Sequence, residues 1–163
     1  MAAMETIVFD FSRVILFPKD QNYQGGLNKL HKDLSVKSDY KFLDNFKFND
    51  ELIKYLKLNK EKFELYIFTT GNIQNTPEVQ RKIKGIFNKI YTVTDLGLGK
   101  ESSKTFNILA QKIGKKPEDI LFIDDTLQNV EAAKKAGLKT IQYNKDNKKL
   151  IQILERFSYD LEV

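Results

Sequence analysis

With 163 residues the chain is the size of one domain and long enough to bury a core without covalent staples. It contains no cysteine, which excludes disulfide frameworks, thiolate metal sites and thiol catalysis. The formal net charge is +5, but only Arg13, Arg81 and Arg156 among the 27 basic residues carry the bidentate fork of base readout, and the lysines are spread over every amphipathic segment, which argues against a nucleic-acid partner.

The opening MAAMETIVFD places no basic stretch before its apolar run, and that run is about five residues against the ~20 that span a bilayer. A soluble, cytoplasmic protein without membrane contact is expected. Residues 5–10 (ETIVFD) are short, apolar and β-branched, the pattern of a buried first strand. Residues 18–48 break the rhythm that follows and suggest loops with two short helices, an insert after that strand. His31 lies there on a polar pattern and reads as an exposed helix residue, with no second metal ligand near it in sequence.

Beyond the insert, helices and strands alternate. Leu52, Ile53 and Leu56 mark a helix over 49–60, ELYIFT a strand over 64–69, and Val79, Ile83, Ile86 and Phe87 a helix over 77–87 with Thr76 as N-cap and Pro77 in the first helical position. Strands at 89–94, 119–124 and 138–143 alternate with helices at 102–113 and 127–136, the second stopped by Gly137, and a helix over 147–157 follows. Strands separated by helices imply right-handed crossovers and a mostly parallel sheet. The expected fold is α/β, a Rossmann-like three-layer sandwich forming one domain over 1–163, with 18–48 as a minimal cap-like insert.

In such a sheet ligands sit outside the carboxyl ends of the strands. Asp10, Thr69, Asp124 and Asp125 all fall at those ends, and Lys100 follows the third strand in GLGKESS. Each residue alone has an ordinary explanation as a cap, a strand residue or a surface lysine; together they place three carboxylates, a hydroxyl and an ammonium around one crevice. Clustered carboxylates imply a divalent cation, and hard oxygen ligands favour Mg²⁺. A phosphate would sit beside it, bonded by Thr69 and the amides of TTGN, including Thr70 and Gly71.

Receiver domains of two-component signalling use a related set, but with the acidic pair near the amino terminus. Here the order is Asp, Thr, Lys, Asp-Asp. With IVFDFSRVI, LYIFTTGN, GKESSKTF and PEDILFIDDTLQNVEAAKKAGLKTI, residues 4–145 outside the insert resemble the haloacid dehalogenase (HAD) superfamily, the last stretch being the most specific. The resemblance implies that Asp10 is a nucleophile that becomes an aspartyl-phosphate, that Thr69 binds the transferred phosphoryl and that Lys100 offsets the charge. It also implies that Asp10, Asp125, Asp124 and the backbone carbonyl of Ser12 hold Mg²⁺.

The family's phosphatases usually carry a second aspartate where this chain has Ser12, and glycine where it has Arg13. A serine hydroxyl is a poor proton donor near neutrality, and general acid–base help is worth ~10² to 10⁴ in rate, so slow turnover is expected unless the leaving group needs no proton. Arg13 is expected to bind a substrate anion or pair with a nearby acid. The short insert implies a comparatively open mouth, suited to a macromolecular substrate or to a lid donated by a partner subunit; the expected substrate is a phosphorylated small molecule or a phosphoprotein. The leading expectation is a Mg²⁺-dependent phosphohydrolase; the alternatives are a pseudoenzyme that binds phosphate or a protein partner, and carbon–halogen hydrolysis, which leaves Asp124 and Asp125 hard to explain.

Overall fold

The computed structural model describes residues 4–159, so both ends of the expected 1–163 domain lie outside the described residues. Five parallel strands form the central sheet: β1 (Glu5–Phe9), β4 (Phe63–Thr69), β5 (Lys89–Thr92), β6 (Ile120–Asp124) and β7 (Lys139–Gln142), in the order β5-β4-β1-β6-β7. A separate antiparallel pair, β2 (Leu16–Pro18) and β3 (Phe46–Phe48), closes the base of the insert, which carries α1 (Leu27–Leu34) and α2 (Phe42–Asn45). The remaining helices are α3 (Asp50–Leu58), α4 (Pro77–Ile83), α5 (Val93–Leu96), α6 (Ser103–Ile113), α7 (Leu127–Lys135) and α8 (Asn147–Tyr159). No helix among the described residues is long and apolar enough to cross a membrane.

The alternation of side chains along each strand builds two cores. Ile7, Phe9, Leu65, Ile67, Leu121 and Ile123 face one way, against Leu52 and Leu56 of α3, Val79 of α4 and Leu150 and Leu154 of α8. Val8, Phe68, Phe122 and Ile120 face the other, against Phe106 and Leu109 of α6 and Ala132 and Ala133 of α7. This is the expected three-layer α/β arrangement. It also fixes the parity of the site: Asp10 shares the face of Val8, and Asp124 that of Phe122, so both carboxylates leave the sheet on the side of α6 and α7.

Several boundaries differ from the sequence pattern, each for a local reason. The strand expected to run to residue 94 ends at Thr92, whose hydroxyl accepts from the Asp95 amide at 3.1 Å while the Asp95 carboxylate accepts from the Thr92 amide at 2.9 Å, a capping box that starts α5. Helix α4 stops at Ile83, two residues before Gly85 at φ 76°. Thr76 occupies the N-cap position before Pro77, but its hydroxyl makes no capping bond and is buried without a partner. His31 is not an exposed helix residue: its ring packs edge-on against Phe42, a member of the core on that side of the sheet, and Nδ1 bonds the Tyr40 hydroxyl at 2.7 Å.

Candidate active site

Strand pairing brings the acids together. Phe9 lies opposite Ile67 on one side and Ile123 on the other, and the Asp10 amide donates to the Ile123 carbonyl at 2.8 Å, so Asp10 stands beside the end of β6. Oxygens of Asp10, Asp124 and Asp125 all lie within 4.8 Å of one another. Lys100, on the loop before α6, reaches in across the faces of Phe68 and Phe122; its Nζ is 2.6 Å from Asp10 Oδ1 and 3.5 Å from Asp124 Oδ2. Thr69 and Thr70 line the same cleft from the end of β4, as does Ser12 from the loop after β1. The four segments of the sequence reading therefore converge in space.

Burial sets the electrostatics. Asp10 is 8% exposed, Asp124 0% and Lys100 5%, so one ammonium and two carboxylates share a region that water barely reaches, with the half-buried Asp125 beside them. Removal from water outweighs the attraction of Lys100 and, with the charge of Asp124, pushes the Asp10 carboxyl up to about 7. Burial, then the Asp124 charge, pushes Asp125 up to about 6. Such a set of hard oxygens with excess negative charge fits a small divalent cation, which would supply the missing positive charge.

Asp124 is the most heavily bonded of the three acids. Its Oδ1 accepts from the Thr126 amide at 2.8 Å, and its Oδ2 accepts from Asn129 Nδ2 at 3.1 Å as well as from Lys100. It orients the cluster, while Asp125 and Asp10 line the cleft. Asn129 was not singled out from the sequence, yet it lines the cleft and fixes Asp124; the available signal was its place on the first turn of the helix that follows the acidic pair.

The cleft encloses about 270 Å³, and its outer wall comes from the insert, through Gln24, Gly25, Gly26 and Asn28. Arg13, at φ 63°, lines the cleft and pairs with no acid among the described residues; its Nη2 donates to the carbonyls of Tyr23 at 3.2 Å and Gly25 at 2.6 Å, tying that wall to the loop after β1. Gly71 does not line the cleft but receives the Asn28 side chain against it. A larger groove of about 560 Å³ lies on the other side of Arg13, but its acids are engaged, Asp50 with Lys82 at 2.5 Å and Glu51 with Asn147 Nδ2 at 3.2 Å.

Comparison with known proteins bears on the family and the fold. The family model of haloacid dehalogenase-like hydrolases matches residues 4–137. Over 99 residues the chain is 33% identical to enolase-phosphatase E1 of Aquifex aeolicus, an alignment that covers 57% of this chain and 44% of that protein. The chain thus spans less than half the length of that curated relative. A HAD family enzyme of Bacteroides thetaiotaomicron, in complex with magnesium and inorganic phosphate, shares the fold at a TM-score of 0.61 and 15% identity, covering 91% of this chain and 99% of that one. A HAD-superfamily hydrolase of Geobacter sulfurreducens does so at 0.66 and 12% identity, covering 94% and 97%.

Proposed function

The chain belongs to the haloacid dehalogenase-like hydrolases, and from that premise we propose that it is a Mg²⁺-dependent phosphohydrolase acting on a phosphorylated small molecule through an aspartyl-phosphate on Asp10. The observation that carries this reading is the buried contact of Lys100 Nζ with Asp10 Oδ1 at 2.6 Å inside a cluster of three carboxylates. Capping residues have no need of such an arrangement; a nucleophile that must stay ionised while approaching an anion does.

Asp10, Asp125, Asp124 and the carbonyl of Ser12 would hold Mg²⁺. When bound, the ion supplies positive charge that neutralises the phosphate and the carboxylates. The Asp10 carboxylate oxygen forms a bond to phosphorus as the bond from phosphorus to the leaving oxygen breaks. Water then attacks the aspartyl-phosphate, releasing inorganic phosphate and restoring the carboxylate. Lys100 favours the ionised form of Asp10, with the cation offsetting the rest of the cost of burial, and Thr69 and Thr70 donate hydrogen bonds to the phosphoryl oxygens. A cleft of about 270 Å³ walled by Gln24–Gly26 favours a compact phosphomonoester over a phosphoprotein.

Ser12 supports a second reading, in which the chain binds phosphate with little turnover because no residue protonates the leaving oxygen. One assay separates the two. Wild type, Asp10→Asn and Ser12→Asp are compared on p-nitrophenyl phosphate, whose leaving group needs no proton, and on β-glycerophosphate, whose leaving group does. A phosphohydrolase turns over the aryl ester with Mg²⁺, and Asp10→Asn lowers that rate on the order of 10³-fold or more. Ser12→Asp raises the alkyl rate by ~10² to 10⁴. Equal background rates in wild type and Asp10→Asn, with and without Mg²⁺, would leave only the binding reading.

A further inference from the structure

The insert is clasped over the cleft from two sides. Arg13 holds it from β1, and Asn28, the second residue of α1, holds it from β4: Asn28 Oδ1 accepts from the amides of Asn72 and Ile73, both at 2.9 Å. Two amide donors converging on one atom also fix which way the carboxamide points.

The chain is shaped to admit this contact. A Cβ at Gly71 would lie 2.1 Å from Asn28 Cγ, and the three atoms nearest to it all belong to the Asn28 carboxamide. Gly71 is not in the left-handed region where glycine is otherwise required, so the approach of Asn28 is the reason for a residue without a side chain. The loop clasped in this way is the one that presents Thr69 and Thr70 to the cleft, and Asn28 itself lines that cleft beside Gln24, Gly25 and Gly26.

We propose that Asn28 is a positioning residue for phosphate recognition: its carboxamide oxygen locks the loop after β4, so that Thr69 and Thr70 stay directed at the cleft and Gln24–Gly26 stay in place as its outer wall. The inference rests on the phosphohydrolase reading for its catalytic consequence, but the clasp itself can be measured without turnover. Insert and loop behave as one unit, and breaking the clasp loosens the grip on phosphate while leaving the buried pair of Asp10 and Lys100 intact. The loss therefore falls on KM and not on kcat.

The test uses Asn28→Ala, Asn28→Asp, Gly71→Ala and the double variant Asn28→Ala/Gly71→Ala. Amide hydrogen exchange at Asn72 and Ile73 is followed by NMR, the Kd of inorganic phosphate is measured with Mg²⁺ present, and KM and kcat are measured for p-nitrophenyl phosphate. Asn28→Ala accelerates exchange at both amides and raises KM and the phosphate Kd roughly tenfold, the scale of one or two net hydrogen bonds, with kcat within about twofold. Asn28→Asp retains the acceptor oxygen and with it the amide protection. Gly71→Ala reproduces the loss by displacing the carboxamide, and the double variant is no worse than either single one. Unchanged exchange in Asn28→Ala, unchanged phosphate affinity, or additive losses in the double variant would overturn the proposal. If wild type binds phosphate but hydrolyses nothing, the catalytic reading fails, and exchange and phosphate affinity still decide the clasp; if wild type binds no phosphate, both fall.

Discussion

Two buried polar clusters can be compared directly. Beneath the stem of the insert, Asn49 donates through Nδ2 to the Val14 carbonyl at 2.9 Å and to the Tyr143 hydroxyl at 3.0 Å, and accepts at Oδ1 from Asn147 Nδ2 at 2.8 Å and the Leu52 amide at 3.3 Å; Tyr143 in turn donates to Asn147 Oδ1 at 2.7 Å. Only the exposed Glu51, which accepts from Asn147 Nδ2 at 3.2 Å, brings a charge to this network, and its donors meet acceptors within the protein. At the end of β1, by contrast, Asp10, Asp124 and Asp125 exceed Lys100 in charge, and burial raises the Asp10 and Asp125 carboxyls far above their ordinary range. The first cluster joins α3, the loop after β1 and the segment after β7, and needs nothing from outside. The second carries an excess of negative charge that a bound cation would offset.

The comparison breaks most sharply at Lys100. At pH 8, Lys100→Met leaves Asp10 and Asp124 buried without their counter-charge and destabilises the metal-free protein by about 3–5 kcal/mol, measured by chemical denaturation. The loss shrinks at pH 6, because Asp10, with its carboxyl near 7, takes up a proton there, and Mg²⁺ recovers part of it at pH 8. A pH-independent loss would place Lys100 in a packing role. Asn49→Ala is the smaller and plainer case: it costs about 1–3 kcal/mol by stranding the Tyr143 and Asn147 groups, and neither pH between 6 and 8 nor Mg²⁺ alters that cost. A Mg²⁺-sensitive loss at Asn49 would erase the distinction between the clusters.

Much of the second cluster was legible in the sequence because each member ends or follows a locally patterned strand. Asp10 after TIVF and Asp124 after ILFI sit where apolar runs stop, and parallel strands in one sheet end at one edge. The first cluster left no such mark: Asn49 looks like any N-cap, and its partners are 94 and 98 residues away. Of the two expectations for Arg13, pairing with an acid gives way to bonds with two backbone carbonyls, a kind of partner that no side-chain pattern reveals, while its place in the cleft lining leaves contact with a substrate anion open. The strands β2 and β3 have three residues each, too short for alternation to show, and at Thr92 the run of β-branched residues masked the capping box that ends β5. Asn28 was invisible for the same reason as Arg13, since its bonds go to main-chain amides.

The central claim is that the buried acids are a cation receptor, and a calorimetric titration of wild type with Mg²⁺ at pH 6 and pH 8 tests it most directly. In the cation-free fold the raised carboxyls of Asp10 and Asp125 hold protons up to about 7 and about 6, so binding must expel them and must tighten as pH rises. The account predicts one site, proton release at pH 6, an affinity roughly tenfold higher at pH 8, and loss of binding in Asp125→Asn. Binding that is indifferent to pH and survives in Asp125→Asn, or no binding at either pH, would contradict it.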